Sequence, residues 1–237
     1  MEKKTLFKLS KDRPMYVNII YTLIAFIGMF IIPTAVYLFL YSFIHNEVVC
    51  NLISDIVFII VLYLMYFKDL NSEFNIFTKD FKKNAKISFK YYLLGFMGMV
   101  FCNLLITLFL GGISSNESQV RDMLYSNVVP TMISICIIAP ITEELIFRKS
   151  LQPVLKNKWI YVIVCGLLFG GAHILTNIMN NAFVWTDLFY ILPYACLGGS
   201  FALMDYDTKT TFSSIMIHAL HNTVTGIMLL VTYFGGK

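Results

Sequence analysis

The sequence predicts an all-α fold, a polytopic membrane helical bundle of about seven transmembrane helices, with eight as the upper count. Of the 237 residues, 58% are hydrophobic and only 14% charged, and the mean hydropathy is +0.73. That leaves too little polar surface to enclose a water-soluble core of this size. Apolar stretches recur along the chain at close to the ~20 residues that cross ~30 Å of hydrocarbon. Lysine and arginine, in turn, are confined almost entirely to alternate loops, the pattern of a positive-inside topology.

The apolar stretches run over 15–44, 48–67, 91–113, 128–150, 159–175, 187–204 and 211–234. The first follows Lys3, Lys4, Lys8, Lys11 and Arg13, like the charged region of a signal sequence. Its apolar run is far longer than a cleavable segment and no A-x-A site follows, so it is expected to stay as an anchor. Residues 68–90, KDLNSEFNIFTKDFKKNAKISFK, mix Phe74, Ile76, Phe77, Phe81 and Ile87 with lysines. They are expected to form a basic cytoplasmic linker, either solvated or lying along the anionic inner leaflet as an interfacial helix. The chain divides on this reading into N-terminal transmembrane helices, 1–127, and a helical core, 128–237, whose four spans carry the chemistry. No repeat, low-complexity tract or soluble domain interrupts it.

With the N-terminus inside, sixteen of the eighteen Lys and Arg residues fall on cytoplasmic segments, and only Arg121 and Lys237 fall outside. The expected orientation is therefore N-in and C-out. This pattern accounts for the net charge of +4, and no nucleic-acid motif competes for it. The abundance of Ile, Phe, Lys and Asn suggests an AT-rich bacterial genome, hence a bacterial cytoplasmic membrane. All five cysteines (Cys50, Cys102, Cys136, Cys165, Cys196) lie in apolar stretches without C-x-x-C spacing, which points to inert buried thiols.

Ionisable groups at membrane depth are costly and by default face a cavity or a partner. The fourth span ends IIAPITEELIFRKSL, with Glu143, Glu144 and Arg148 on one helix. Glu144 and Arg148, four apart, share a face and form the natural local ion pair. Glu143 points about 100° away and is left for another role. In the fifth span, CGLLFGGAHIL, Phe169 and His173 share a face, and Gly166, Gly170 and Gly171 invite a neighbouring helix to approach closely. In the seventh, IHALHNTVTG, His218 and Asn222 share a face with His221 at its edge. Counted from the nearest cytoplasmic lysine at ~1.5 Å per residue, Glu143, His173 and Asn222 all lie roughly 20 Å deep. A lone His or Asn in a membrane helix is more often interhelical glue, and Asp55 is read that way. Two carboxylates, two imidazoles, an amide and a guanidinium at one level are read as a site.

The Glu143-Glu144-x-x-x-Arg148, Phe169-x-x-x-His173 and His218-x-x-x-Asn222 motifs resemble, in order and spacing, those of the CPBP family of CAAX proteases and bacteriocin-processing enzymes, also called Abi proteins. The match covers about 143–222. It implies an intramembrane endopeptidase opening toward the cytoplasm, with a membrane-associated peptide or lipidated protein as substrate. Glu143 and His173 would activate water, His218 and Asn222 would stabilise the oxyanion, and Glu144 and Arg148 would support them. The chemistry is coherent on its own terms: amide hydrolysis needs a base for water, donors for the tetrahedral oxyanion and an acid for the leaving amine.

Glu143, His173 and His218 would also make an open zinc site, yet there is no H-E-x-x-H, and Asn is an uncommon zinc ligand. No cofactor is favoured, and zinc is the alternative. Serine and aspartyl intramembrane signatures fail, since Gly198-Gly199-Ser200 is followed by Phe201 and no G-x-G-D occurs. Two non-proteolytic readings compete: a bacteriocin-immunity or adaptor protein without catalysis, and a proton or ion pathway, which lacks visible inverted repeats.

Overall fold

A computed structural model describes residues 8–111, 114–179 and 183–235. Lys3, Lys4 and Lys237, which entered the charge argument, lie outside them. The described residues are mostly helical with no strand among them, and seven of the helices are long and apolar enough to cross a membrane, so the chain is an integral membrane protein of the expected class.

α1 (Met15–Ile44) starts after Pro14 and ends at His45, whose left-handed backbone turns the chain. Asn46 then caps α2 (Glu47–Lys79), its side chain accepting from the Val49 N–H. α3 (Phe81–Phe109) follows after Asp80 alone. A short helix, α4 (Ser115–Ser126), is capped by Ser114, whose hydroxyl accepts from the Glu117 N–H. The fourth span, α5 (Val128–Lys149), carries two π-helical turns, Ser134–Ile138 and Leu145–Lys149. α6 (Lys158–Met179), α7 (Trp185–Thr208) and α8 (Thr211–Gly235) complete the bundle. A left-handed Lys209 makes the tight reversal between the last two.

The expected linker at 68–90 is instead helix, because α2 runs to Lys79 and α3 resumes at Phe81. The sequence disguised this, since Asp69, Glu73, Asn84 and Ser88 look like solvated loop residues but are buried. Asp69 pairs with Arg13 at 3.2 Å, and Glu73 pairs with Lys149. A buried charge needs such a partner, and the partners here come from remote segments.

α7 packs most extensively against α6 and α3 and also against α8. Its residues Leu197, Phe201, Ala202 and Met204 are almost wholly buried, which makes α7 the axis of the bundle. The periphery is apolar and exposed, with Phe39 66% and Phe109 80% accessible, as lipid-facing helices require. The boundary drawn at residue 127 is not a packing boundary, because α3 lies against α7.

Candidate active site

One cavity of about 560 Å³ lies among α3, α4, α5, α6, α7 and α8, and Glu143, His173, His218 and Asn222 all line it. Three helices spread over about eighty residues of sequence thus bring the four expected site residues together. Asp55 is not among its lining residues.

Helical periodicity separates the two glutamates as expected. Glu144 is fully buried and lies 3.0 Å from Arg148 Nη1. The Arg148 guanidinium also donates from Nη2 to the Gly198 carbonyl at 3.0 Å and sits 4.6 Å from the Phe169 ring centroid. Phe169 therefore serves as a floor for the cation. Glu143 turns to the cavity. Its Oε2 is buried, has no hydrogen-bond partner among the described residues, and lies 3.8 Å from His218 Nε2. That separation is too long for a direct hydrogen bond.

Both histidines have their tautomers set by what Nδ1 meets. His218 Nδ1 is 2.9 Å from Glu144 Oε1, and an ionised carboxylate only accepts, so Nδ1 carries the proton. The ring is stacked on Phe201 at 4.8 Å. His173 Nδ1 lies 2.8 Å from the Phe169 carbonyl oxygen, again an acceptor only. Its ring is stacked on Tyr194 at 4.0 Å. In a neutral ring Nε2 is then the lone-pair nitrogen; His218 Nε2, which faces Glu143 Oε2, bears a proton when that ring is charged. The sequence suggested the Glu144–Arg148 pair, but not that Glu144 also holds His218, because that contact joins positions 74 apart.

Asn222 has an additional attachment. Ala139 N–H donates to Ser134 O, five residues back, in the π-helical turn of α5. In the same register the next donor would be residue 140, which is a proline without an N–H. The carbonyl left over is that of Ile135, and Asn222 Nδ2 donates to it at 2.8 Å. This fixes the amide orientation and uses one of its two N–H groups. π-turns of this kind recur at functional sites.

The close-approach role read for three glycines holds at two of them. A Cβ on Gly170 would fall 2.5 Å from the Ile191 carbonyl oxygen, and one on Gly166 would fall 2.8 Å from that of Ala195, both on α7. Gly171 has nothing within 4 Å of such an atom. Among the described residues, no group of three His, Cys, Asp or Glu is placed to hold a metal ion. The Glu143, His173 and His218 set considered for zinc does not form such a group.

Sequence reasoning missed several contributors. Phe96, Val100 and Asn103 of α3, the α4 cap Ser114 and Glu117 of α4 line the cavity, although the four C-terminal spans were expected to carry the site. Asn103, a polar residue in an apolar span, was the one usable signal. Tyr194 stacks on His173 and shares a 3.0 Å hydrogen bond with Ser114; nothing in its local sequence marks it. The cavity extends from Glu143 and His218 toward Thr232 of α8 and Glu117 of α4, away from the ends that carry the basic loops. The opposite end is filled by buried Arg148, Lys149 and Asp205.

Residues 125–224 match the family model of the Rce1-like type II CAAX prenyl endopeptidases. A protein of Bacillus subtilis provisionally named membrane peptidase YdiL is 30% identical over 125 residues, covering 51% of this chain and 46% of its own length. An uncharacterized protein of Mycoplasma capricolum subsp. capricolum is 26% identical over 199 residues, 78% of this chain and 56% of its own. The UPF0177 protein YbdI of Lactococcus lactis is 24% identical over 185 residues, 74% of this chain and 94% of its own. The chain spans about half the length of the first two of these relatives. No solved structure matches it. The matched segment encloses every residue of the three motifs, so the resemblance to the CPBP family read from them is shown.

Proposed function

We propose that this chain, similar over residues 125–224 to the Rce1-like CAAX endopeptidases, is an intramembrane endopeptidase that hydrolyses a membrane-associated peptide or protein. The observation that carries this is the unpartnered Glu143 Oε2, held 3.8 Å from His218 Nε2 in the wall of the cavity that His173 and Asn222 also line. A structural carboxylate would be expected to hold close partners, as Glu144 does through Oε1 with Arg148 at 3.0 Å and His218 at 2.9 Å. Glu143 is instead aimed at open space beside two imidazoles, where a water can be held and deprotonated.

In the proposed reaction Glu143, assisted by His173 Nε2, takes a proton from water, and the oxygen attacks the scissile carbonyl carbon. The tetrahedral oxyanion accepts hydrogen bonds from a protonated His218 Nε2 and from the second N–H of Asn222. Glu144 counters the imidazolium at 218, as the orienting carboxylate of a catalytic dyad does. The proton held by Glu143 then passes to the leaving nitrogen as the C–N bond breaks, giving a carboxylic acid and an amine. Arg148 and Glu144 position the histidine.

Comparative peptidomics of cells carrying wild-type protein and Glu143→Ala tests the reading. Discrete fragments and intact precursors should exchange between the two strains. Identical peptidomes at equal protein accumulation would favour a non-catalytic adaptor.

The mechanism also makes a statement about metal. Protein chelated until elemental analysis finds no zinc is expected to keep its turnover. Activity that is lost with stoichiometric zinc and restored by its return would transfer His173 and His218 to ligand roles.

A further inference from the structure

We infer that the substrate reaches these residues from the end of the bundle opposite the basic loops, through an opening between α3 and α8. The bond cleaved then belongs to an apolar or amphipathic peptide segment presented in the outer half of the bilayer. The inference rests on the peptidase reading for its substrate and on geometry for its route.

Three features of the bundle define the route. Beneath the catalytic groups, at the end of the basic loops, Arg148, Lys149, Met204, Asp205, Ser213 and Ser214 are all buried. Above them the cavity continues. His218 lies seven residues from the start of α8 at Thr211, and the lining runs on to Thr232. Those fourteen further residues span roughly 21 Å at 1.5 Å each, the length of about six residues of extended peptide. Third, Val100 of α3 and Met228 of α8 both line the cavity and are 47% and 64% exposed. Its wall therefore reaches the lipid-facing surface between these two helices, the route a membrane-embedded segment would use.

Direction follows from charge. Fourteen of the fifteen described Lys and Arg residues belong to the ends that the cavity avoids, and positive ends stay in the cytoplasm.

The lining also bears on what enters. Its described residues include Glu117 and Glu143 but no Lys or Arg, and its walls are largely apolar. A free C-terminal carboxylate would find no cation to pair with, and burying it unpaired is costly. An internal bond in an uncharged or cationic segment suits this cavity better.

The test uses full-length protein in which the five cysteines have been replaced and one is returned, either as Glu117→Cys or Thr225→Cys in the lining, or as Lys156→Cys in an exposed basic loop. A membrane-impermeant maleimide is applied to intact cells and to permeabilised ones. The lining positions are expected to be labelled in intact cells and Lys156→Cys only after permeabilisation. Labelling of Glu117→Cys and Thr225→Cys only after permeabilisation would overturn the route, whatever the activity. Glu143-dependent fragments provide the second arm. They should arise from exported peptides or from outward-facing ends of membrane segments, and a set drawn only from cytoplasmic tails would overturn the substrate class. Outside labelling combined with no Glu143-dependent fragment would instead remove the peptidase reading and leave the route standing.

Discussion

The residues of the site differ in how far their roles could be read from position alone. Helical rotation separates Glu143 from Glu144, so their division was legible four residues at a time. Asn222 was not legible in the same way, because one of its two N–H groups serves the Ile135 carbonyl stranded by Pro140. Its removal therefore has two consequences. Asn222→Ala leaves the part-buried Ile135 carbonyl unpaired at a cost of up to about 1–3 kcal/mol, and it removes the proposed oxyanion donor, whose loss should cost on the order of 10²–10³ in rate. Pro140→Ala supplies the missing N–H to α5 and should separate the two effects. The double variant is expected to recover the melting temperature in detergent but not the cleavage rate. A rate that returns with stability would make Asn222 purely structural.

At the scale of elements, the spans themselves were the most legible feature, since their length and apolarity are set by the bilayer. Helix ends were less so. Residues 68–79 continue α2 because Asp69 and Glu73 find buried partners, and no local pattern announces partners as distant as Arg13 and Lys149. The contact of α6 with α7 gives a sharper case, because one glycine pair reads alike in sequence and differs in space. Gly170 faces the α7 backbone at Ile191 and Gly171 faces nothing within 4 Å. Gly170→Ala must push the two helices apart, at a cost of about 1–3 kcal/mol, and it displaces His173 three residues on. Its activity should fall more than its stability. Gly171→Ala should be neutral or stabilising by up to about 1 kcal/mol, as alanine replaces glycine within a helix. Melting curves and cleavage rates of the two variants check the contrast, and equal behaviour would show that α6 does not use Gly170 as its point of closest approach.

Across the whole molecule, the residues of the candidate site are held by a packed end rich in buried charge. Glu73 of α2 pairs with Lys149 at the end of α5 and also accepts from the Thr211 N–H that opens α8, at 2.9 Å. Asp205 of α7 accepts from Tyr161 of α6 at 2.7 Å and from the Thr211 hydroxyl at 2.8 Å. Five helices thus meet through groups that would each be costly to bury alone. Such networks follow from tertiary proximity, which is why the sequence showed a basic end but not its buried acids. Removing one member exposes the arrangement. Glu73→Ala leaves the Lys149 ammonium buried without its partner, which should destabilise the protein by about 3–5 kcal/mol and lower its accumulation in the membrane. Joint replacement by well-packed apolar residues, Glu73→Leu with Lys149→Met, removes both charges and is expected to restore much of that loss. The restored protein should cleave substrate as wild type does, because neither residue lines the cavity. Thermal melting in detergent, read beside cleavage, decides the matter. A double variant that is folded but inactive would mean that the packed end sets the geometry of Glu143 and His218 directly, and that its charges do more than hold the helices together.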